Sequence, residues 1–341
     1  MARRRRIGEG EVPTEEPITT TERKIQFIPT GCVVFDCVLG GGWPLGRMSN
    51  LVGDKSTGKT LCAIEAAANF AHRYPDGYIF YREAEAAFDE DYAASLGLPI
   101  DRVDFGEEGL GTPWDTIEDI YEDLNAKCDQ CIKEKVPGLY IIDSLDALSS
   151  RAELSRGIDE GSYGMEKQKQ LGQLFRRLVR KIKEANMHLL IISQVREKIG
   201  ITFGDKYRRS GGKALDFYAS QVIYLSHLKT IKKTAGGVER PIGIRIKAKC
   251  TKNKIGPAFR ECEFTVRFGY GIDELSSAVE WLETVKKSKE LLDGESAKSY
   301  ITRVEKLGNK EYRAELKRVR KVVKAAWNEI EARFEPERKK Y

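Results

Sequence analysis

Short apolar runs alternate with amphipathic helical stretches along the middle of this chain. Apolar runs of strand length occupy residues 77–81, 139–142 and 189–192. Residues 116–135 and 167–185 lie around them and have helical patterns. The second helical stretch places one apolar face at Leu171, Leu174, Phe175, Leu178 and Ile182. Apolar strands that alternate with helices are typical of a parallel sheet covered on both faces. The pattern therefore predicts an α/β fold with a mostly parallel, doubly wound sheet. Further strands are predicted at residues 25–28, 220–227, 243–249 and 263–268.

The two ends of the chain differ from this central region, which spans residues 25–272. Residues 1–24 are polar and charged, so we predict a flexible basic tail. Its Arg3–Arg6 cluster fits either phosphate contacts or a solvated charge run. Residues 273–341 predict a small, helical, basic region with breaks near two glycines. Its last helix, predicted at residues 311–334, is strongly basic, and we expect its charged face to be solvated.

The strongest motif is a glycine-bounded loop between a predicted strand and a predicted helix. It consists of Gly53, Asp54, Lys55, Ser56, Thr57, Gly58, Lys59 and Thr60, and it fits the phosphate-binding pattern G-x-x-x-x-G-K-[ST]. The two glycines let backbone N–H groups turn inward, and the helix N-terminus adds partial positive charge. Lys59 would neutralise the β- and γ-phosphates of a nucleotide, and the Thr60 hydroxyl would bind Mg²⁺. The alternative is a chance glycine-rich turn, which the strand–loop–helix context disfavours.

Carboxylates follow two of the predicted buried strands. Glu83 and Glu85 come after the strand at 77–81, and Asp143 ends the strand at 139–142. The carboxyl ends of parallel strands meet at one edge of a sheet, which is where nucleotides bind. On chemistry alone, Glu83 and Glu85 are equal candidates to activate a water that attacks the γ-phosphate, and surface loop charges are the alternative. Asp143 is predicted to hold Mg²⁺ through water.

Residues 196–213 show no hydrophobic periodicity. They combine glycines and cations with the apolar Ile199, Ile201 and Phe203. The cations are Arg196, Lys198, Lys206, Arg208, Arg209 and Lys213. Cations suit nucleic-acid phosphates and apolar groups suit base faces, so a DNA-binding loop is one interpretation. A mobile surface loop explains the composition equally well.

Composition restricts the cellular compartment and the kinds of partner, but it does not identify the function. The 341 residues carry a net charge of +6, which suits a polyanionic partner without requiring one. We find no apolar run of about 18 residues, which a membrane helix would need. The basic N-terminus is not followed by the apolar segment of a secretory signal. Seven scattered cysteines favour a reducing compartment, and the lone Cys128-x-x-Cys131 pair is weak support for a metal or redox site.

Several segments align with one family. They are Pro29-Thr30-Gly31, Leu45-Gly46-Arg47, the phosphate loop, Glu83-Ala84-Glu85 with Phe88-Asp89, residues 141–144, residues 193–200 with Phe203-Gly204, residues 211–220 and residues 252–255. The last three are more specific than the phosphate loop, which many ATPases share. From about Phe27 to Ile272 the chain resembles the RecA-type homologous recombinases. The resemblance implies a RecA-like ATPase core with ATP and Mg²⁺ as cofactors.

The resemblance also implies roles for single residues. Glu85, rather than Glu83, matches the catalytic glutamate, and Gln194 matches the glutamine that senses the γ-phosphate. Lys252 and Lys254 match cations that reach the ATP of a neighbouring subunit. Further nucleotide contacts are implied for Leu61, Asp89, Tyr92, Asp143 and Phe268, and a subunit contact for Phe217. DNA contacts are implied for Tyr163, Gly164, Met165, Lys169, Arg176, Arg196, Lys198, Ile199, Phe203, Arg208, Arg209, Gly211, Gly212, Lys213, Lys247 and Lys249. The last two match positions that bind a second, duplex DNA.

The chain also departs from the family pattern. Ser193 replaces the usual Asn before the sensing glutamine, and Asp54-Lys55 replaces a common Pro-Glu pair. Ser226-His227 stands where a pair of arginines is frequent. Residues 153–165 are rich in Gly, Ser and Asp and predict a loop, in which residues 155–165 match the first DNA loop of the family. This loop is about one residue longer than is usual. The N-terminal subunit-binding helix is not evident, and the region after Ile272 does not match. These departures suggest a divergent member, such as one encoded by a phage.

The leading hypothesis is an ATP-dependent recombinase that forms helical filaments on single-stranded DNA and exchanges strands with a homologous duplex. It would be a DNA-dependent ATPase of the bacterial cytoplasm or nucleoid, working with loader or single-strand-binding proteins. One alternative is a RecA-fold DNA motor for branch migration, or a hexameric helicase. Another is an ATP-gated, non-catalytic DNA-coating protein, which the presence of Glu85 disfavours.

Overall fold

The computed structural model describes residues 25–85, 87–106, 114–155, 164–197, 207–209 and 212–338. The helices are α1 Val33–Leu39, α2 Lys59–Arg73, α3 Glu90–Ser95, α4 Ile117–Glu134, α5 Arg151–Leu154, α6 Gly164–Glu184, α7 Gly212–Tyr218, α8 Glu274–Thr284, α9 Lys289–Leu292, α10 Ala297–Val304 and α11 Asn309–Ala332. The strands are β1 Phe27–Ile28, β2 Trp43–Pro44, β3 Met48–Gly53, β4 Tyr78–Glu83, β5 Val103–Asp104, β6 Gly138–Asp143, β7 Met187–Glu197, β8 Tyr207–Arg209, β9 Gln221–Ala235, β10 Val238–Asn253, β11 Arg260–Arg267 and β12 Gly271–Asp273.

One ten-stranded sheet organises the described part of the chain. Its order is β12-β11-β10-β9-β3-β7-β6-β4-β5, with β8 paired to β7. The six strands from β9 to β5 run parallel to one another, and β9 through β12 are joined as antiparallel neighbours. The predicted mostly parallel α/β sheet is therefore confirmed. The first phosphate-loop residue, Gly53, ends the central strand β3, so the loop emerges at the carboxyl edge of the sheet.

The central strands bury both of their faces, which explains their continuous apolar sequences. Leu190 and Ile192 of β7 belong to one core cluster, and Leu189 and Ile191 belong to the other. Helices α1, α2, α8 and α11 cover the first face, whereas α4, α6 and α7 cover the second. This alternation follows from the two-residue period of a strand. The apolar face predicted for residues 167–185 is buried against the second cluster.

The C-terminal helices pack onto the core. Val319 and Val323 of α11 are fully buried in the same cluster as Phe35 and Phe264. The Arg320 guanidinium pairs with the carboxylate of Glu274 at 2.6 Å. The opposite face of α11 is exposed and carries the cations Lys310, Arg313, Lys317 and Lys321. The charged face of this helix is therefore solvated, and its apolar face holds the helix on the core.

The secondary structure differs from the sequence prediction in several places. The strands predicted at 220–227 and 243–249 extend to form one long β9–β10 hairpin. The stretch 196–213, predicted to lack structure, contains β8 and the start of α7. Residues 153–165, predicted as a loop, include the end of α5 and the start of α6. Helix α1, whose Val34 and Phe35 are buried, was not predicted.

In the described residues, no helix is long and apolar enough to cross a membrane.

Candidate nucleotide site and DNA interface

The loop between β3 and α2 has the geometry that a phosphate requires. Gly58 takes a left-handed backbone, with φ of 81°, and caps α2 without an acidic side chain in the first turn. A Cβ atom at Gly53 would lie 2.4 Å from Thr57 Oγ1, so only glycine fits there. The Lys59 ammonium donates to the carbonyl of Asp54 across 2.7 Å. Lys59 therefore folds back over the loop, above the positive end of the helix.

A group of hydroxyl and carboxylate oxygens that could bind a metal ion lies beside this loop. The Thr60 hydroxyl and the Tyr81 hydroxyl both hydrogen-bond the buried Asp143 carboxylate, the latter across 2.8 Å. Burial raises the pKa of Asp143 to about 6; the two hydroxyls oppose the shift, and Glu85 and Glu83 add to it. Hydroxyl and carboxylate oxygens are the ligands that Mg²⁺ prefers, and Mg²⁺ keeps waters and phosphate oxygens as its remaining ligands. The described residues contain no cluster of three or more His, Cys, Asp or Glu side chains that could hold a metal alone.

The geometry separates the two glutamates that chemistry alone left equal. Glu83 Oε1 accepts from the backbone N–H groups of Glu85, at 2.8 Å, and Ala87, at 3.2 Å. It therefore holds the loop after β4. Glu85 instead accepts hydrogen bonds from the Ser144 hydroxyl and from Gln194 Nε2, the latter across 2.9 Å. Glu85 thus lies between the ends of β4, β6 and β7.

The electrostatics of the site suit a polyanion. Burial lowers the pKa of the Lys59 ammonium, and four nearby carboxylates oppose this shift. These carboxylates belong to Asp143, Glu85, Asp54 and Asp146. A phosphate that pairs with Lys59 would replace the stabilisation that burial removes. Lys55, by contrast, is exposed at the middle of the loop.

Three of the residues implied to contact the nucleotide, Asp89, Tyr92 and Phe268, lie at the start of α3 and on the turn after β11. Asp89 caps α3 by accepting from the backbone N–H of Tyr92 at 2.9 Å. Phe268 is 54% exposed. Glu65 of α2 accepts from the N–H of Ile272, which fixes β12, just after that turn, against α2. The structure therefore brings α3, α2 and the start of β12 to one end of the site.

Ser193, a departure from the family pattern, faces the interior of the sheet. Its hydroxyl accepts from the amide of Asn50 on β3 across 2.8 Å, and the same amide donates to the carbonyl of Ile191. Both side chains are fully buried. Ser193 and Asn50 therefore form a polar link between β3 and β7.

Two lysines predicted to act on a neighbouring subunit lie beside the predicted contact residue Phe217. Lys252 and Lys254 donate to the carbonyl of Phe217 at 3.0 Å and 3.2 Å, at the negative C-terminal end of α7. The ammonium of Lys254 lies 5.9 Å from the centre of the Phe217 ring. Phe217 is 70% exposed. The three residues form one surface patch.

The predicted DNA contacts are only partly visible. Lys169 and Arg176 are exposed on α6. The backbones of Arg196, Arg208 and Arg209 pair in the β7–β8 hairpin. Gly164 and Met165 begin α6, and Gly212 and Lys213 begin α7. Tyr163, Lys198, Ile199, Phe203 and Gly211 lie outside the described residues.

Sequence reasoning missed the outer half of the β9–β10 hairpin. Lys233 lies directly opposite Arg240, and Lys229 lies opposite Arg245, on the same face of the hairpin. Of the hairpin cations, Lys229, Lys233 and Arg240 form no ion pair with another described residue. Lys247 pairs with Glu261 at 2.6 Å, and Lys249, on the same strand, is exposed. Lys229, Lys233 and Arg240 thus form a cationic strip along the hairpin. In the sequence they are scattered cations between the strands predicted at 220–227 and 243–249.

The fold and the loop define a P-loop nucleoside triphosphatase core. The family model of the RecA N-terminal domain matches residues 5–273. The chain is 34% identical over 263 residues to the protein named RecA of Nostoc punctiforme, covering 77% of this chain and 68% of that relative. It is 32% identical to the Synechocystis protein RecA, covering 77% and 70%, and 34% identical to that of Crocosphaera subtropica, covering 76% and 70%. The chain therefore belongs to the RecA family of homologous recombinases.

Proposed function

We propose that this chain is a DNA-dependent ATPase that assembles as a helical filament on single-stranded DNA and exchanges strands with a homologous duplex. One observation carries the proposal. The Gln194 side chain donates to Glu85 at the nucleotide site, and residue 194 lies three residues before the end of β7, which leads into the predicted DNA loop. A change at the γ-phosphate would therefore reach the predicted DNA loop through Gln194 and the last residues of β7.

Each group of the nucleotide site has a role in this proposal. Lys59 and the N-terminus of α2 hold the phosphates, and Thr60 and Asp143 hold Mg²⁺. The bound metal would neutralise charge that develops on the phosphate oxygens. Glu85 orients the attacking water and accepts its proton. Gln194, which contacts Glu85 across 2.9 Å, is well placed to respond to the γ-phosphate.

The patch of Lys252, Lys254 and Phe217 is proposed to contact the next subunit. Both ammonium groups now rest on the C-terminal carbonyls of α7. In a filament they would exchange this partner for the more strongly charged phosphates of the neighbouring ATP. Hydrolysis would then require assembly, as it does when an arginine finger is supplied in trans.

Duplex DNA is proposed to bind along the hairpin. The predicted contacts Lys247 and Lys249 lie at its base, and the cationic strip continues outward through Lys229, Lys233 and Arg240. Residues 229–240 supply cations and contain no aromatic residue on which a base could stack, so phosphates of a duplex are the better match. The strip lies on the hairpin in which Ser226 and His227 replace a pair of arginines frequent in the family, and it would supply the positive charge that these two residues lack.

Electron microscopy tests the assembly. The protein would be imaged on single-stranded DNA with Mg²⁺ and a non-hydrolysable ATP analogue, in the cytoplasmic range of salt. Open helical filaments are expected. Closed six-membered rings would instead support a hexameric helicase or branch-migration motor and would reject the proposal.

A further inference from the structure

The turn after β6 connects the nucleotide residues to both predicted DNA regions. Asp146 lies in this turn, three residues beyond Asp143. Its Oδ2 atom accepts a hydrogen bond from the backbone N–H of Gln194 across 2.6 Å. Gln194 is thus held at two points, because its side chain donates to Glu85.

The end of the parallel ladder explains why this bond matters. Strand β6 pairs with β7 only as far as Ile142 opposite Ile191. The N–H of Leu145 then donates to the carbonyl of Ile192 at 3.0 Å. Beyond that bond, the Asp146 side chain takes the position that a neighbouring strand would occupy for Gln194. A buried or half-buried N–H that loses its partner is costly, so the carboxylate fixes the backbone at this residue.

The same turn reaches helix α6. The Lys167 ammonium donates to the carbonyls of Asp146, at 3.2 Å, and Leu148. Lys167 lies in the first turn of α6, which carries the exposed Lys169 and Arg176. Asp146 therefore connects the γ-phosphate sensor with the start of the helix that follows the first predicted DNA loop.

Asp146 also lies in the field of the phosphate site. Its charge is one of the four that act on the Lys59 ammonium. A bound triphosphate would add negative charge at Lys59, on which the Asp146 carboxylate acts electrostatically. Asp146, which holds the backbone of β7 at Gln194, is therefore within electrostatic range of the phosphate site.

We propose that Asp146 is a positioning residue that fixes the Gln194 backbone through the 2.6 Å bond and thereby couples the nucleotide state to DNA affinity. The coupling rests on the proposed function, whereas the positioning does not. Asp146 is not proposed to touch the nucleotide. Its action passes through Gln194 to the β7–β8 segment, and through Lys167 to α6.

Two substitutions test whether Asp146 acts as a hydrogen-bond acceptor. Asp146→Ala removes the acceptor, and Asp146→Asn keeps an acceptor oxygen of the same size. Amide hydrogen exchange at Gln194 would be measured without DNA or nucleotide. Because a hydrogen bond to a charged group contributes about 1.5–3 kcal/mol, exchange in Asp146→Ala should accelerate about 10- to 100-fold. Asp146→Asn, whose neutral amide oxygen can still accept the bond, should recover part of this protection, and unchanged exchange in Asp146→Ala would overturn the positioning role.

The coupling has a second readout. Affinity for a single-stranded oligonucleotide would be compared with the non-hydrolysable ATP analogue and with ADP. Asp146→Ala should reduce the ratio of the two affinities at least fivefold, with Asp146→Asn closer to the parent chain. An equal loss with both nucleotides would mean a merely structural role and would overturn the coupling. If the parent chain shows no nucleotide dependence, the proposed function fails, and the exchange data still decide the positioning.

Discussion

Gln194 Nε2 and Glu85 Oε1 are 2.9 Å apart, although 109 positions separate them in the chain. The bond joins the loop after β4 to the end of β7. Glu85→Gln should therefore keep nucleotide binding and lower DNA-stimulated ATP turnover about 100-fold or more, because the general base is lost. Steady-state phosphate release with saturating DNA measures the effect. Glu83→Gln is the matched control and should retain most turnover, since Glu83 serves the loop backbone.

The phosphate loop offers a second comparison between two lysines. Lys59→Ala should weaken binding of a fluorescent ATP analogue about 10- to 100-fold, because a charge-assisted contact to the phosphates is lost. Lys55→Ala removes an exposed cation from the same loop and should change this affinity less than threefold. Equal losses in the two variants would contradict the assigned role of Lys59.

Asp143 should make Mg²⁺ binding dependent on pH. Its pKa in the metal-free protein is raised to about 6, so the folded state binds a proton more tightly than the unfolded state does. Apparent Mg²⁺ affinity should fall as pH drops below 6, because the metal requires the carboxylate. Titration with Mg²⁺ between pH 5 and 8 in the presence of the ATP analogue tests this.

The raised pKa of Asp143 also predicts that the metal-free fold becomes more stable as pH falls, whereas Mg²⁺ binding becomes weaker. At pH 8 the ionised Asp143 destabilises the metal-free fold, and this cost disappears as pH falls from about 6 towards 3.8. Asp143→Asn should therefore raise Tm at pH 8 without metal while abolishing the Mg²⁺ response. A lower Tm of Asp143→Asn at pH 8 would show that the ionised Asp143 does not destabilise the metal-free fold.

The contact between subunits can be tested by mixing variants. Lys254→Ala should bind the ATP analogue as a monomer but lose DNA-stimulated turnover, because its ammonium is proposed to act on the neighbouring site. Mixed with Glu85→Gln, it should recover part of the activity, since some interfaces then combine an intact Lys254 with an intact Glu85. Absence of recovery at every ratio would count against action in trans.

The hairpin supplies a matched pair of cations on opposite faces. Lys233, on the cationic strip, forms no ion pair with another described residue, whereas Lys232 pairs with Glu239 at 2.7 Å on the other face. Lys233→Ala should weaken duplex binding and reduce the salt slope of log affinity by about one, whereas Lys232→Ala should leave both nearly unchanged. Fluorescence anisotropy with a labelled duplex across salt concentrations distinguishes these results.

Strands and helices could be predicted from the sequence where burial leaves a hydrophobic pattern along the chain. Strands β6 and β7 were predicted because both of their faces are buried, which leaves continuous apolar runs. The outer halves of β9 and β10 are exposed on both faces and held by backbone pairing, so no hydrophobic period marks them. Helix α1 was missed because it follows a turn and is only seven residues long, too short to show a helical period.

The site shows the same division. The phosphate loop is local, so its motif predicted its geometry. Family resemblance implied separate roles for Glu85 and Gln194, and the bond between them is a property of the folded sheet. Asp146 could not be predicted, since its partner is a backbone N–H that becomes unpaired only where β6 ends.

A strand-exchange assay between circular single-stranded DNA and homologous linear duplex tests the central proposal most directly. With ATP and Mg²⁺, the chain should convert the substrates into joint molecules and then into nicked circular duplex, and Glu85→Gln should stop before complete exchange. Absence of joint molecules with the parent chain, under conditions where it binds both ATP and single-stranded DNA, would contradict the proposal.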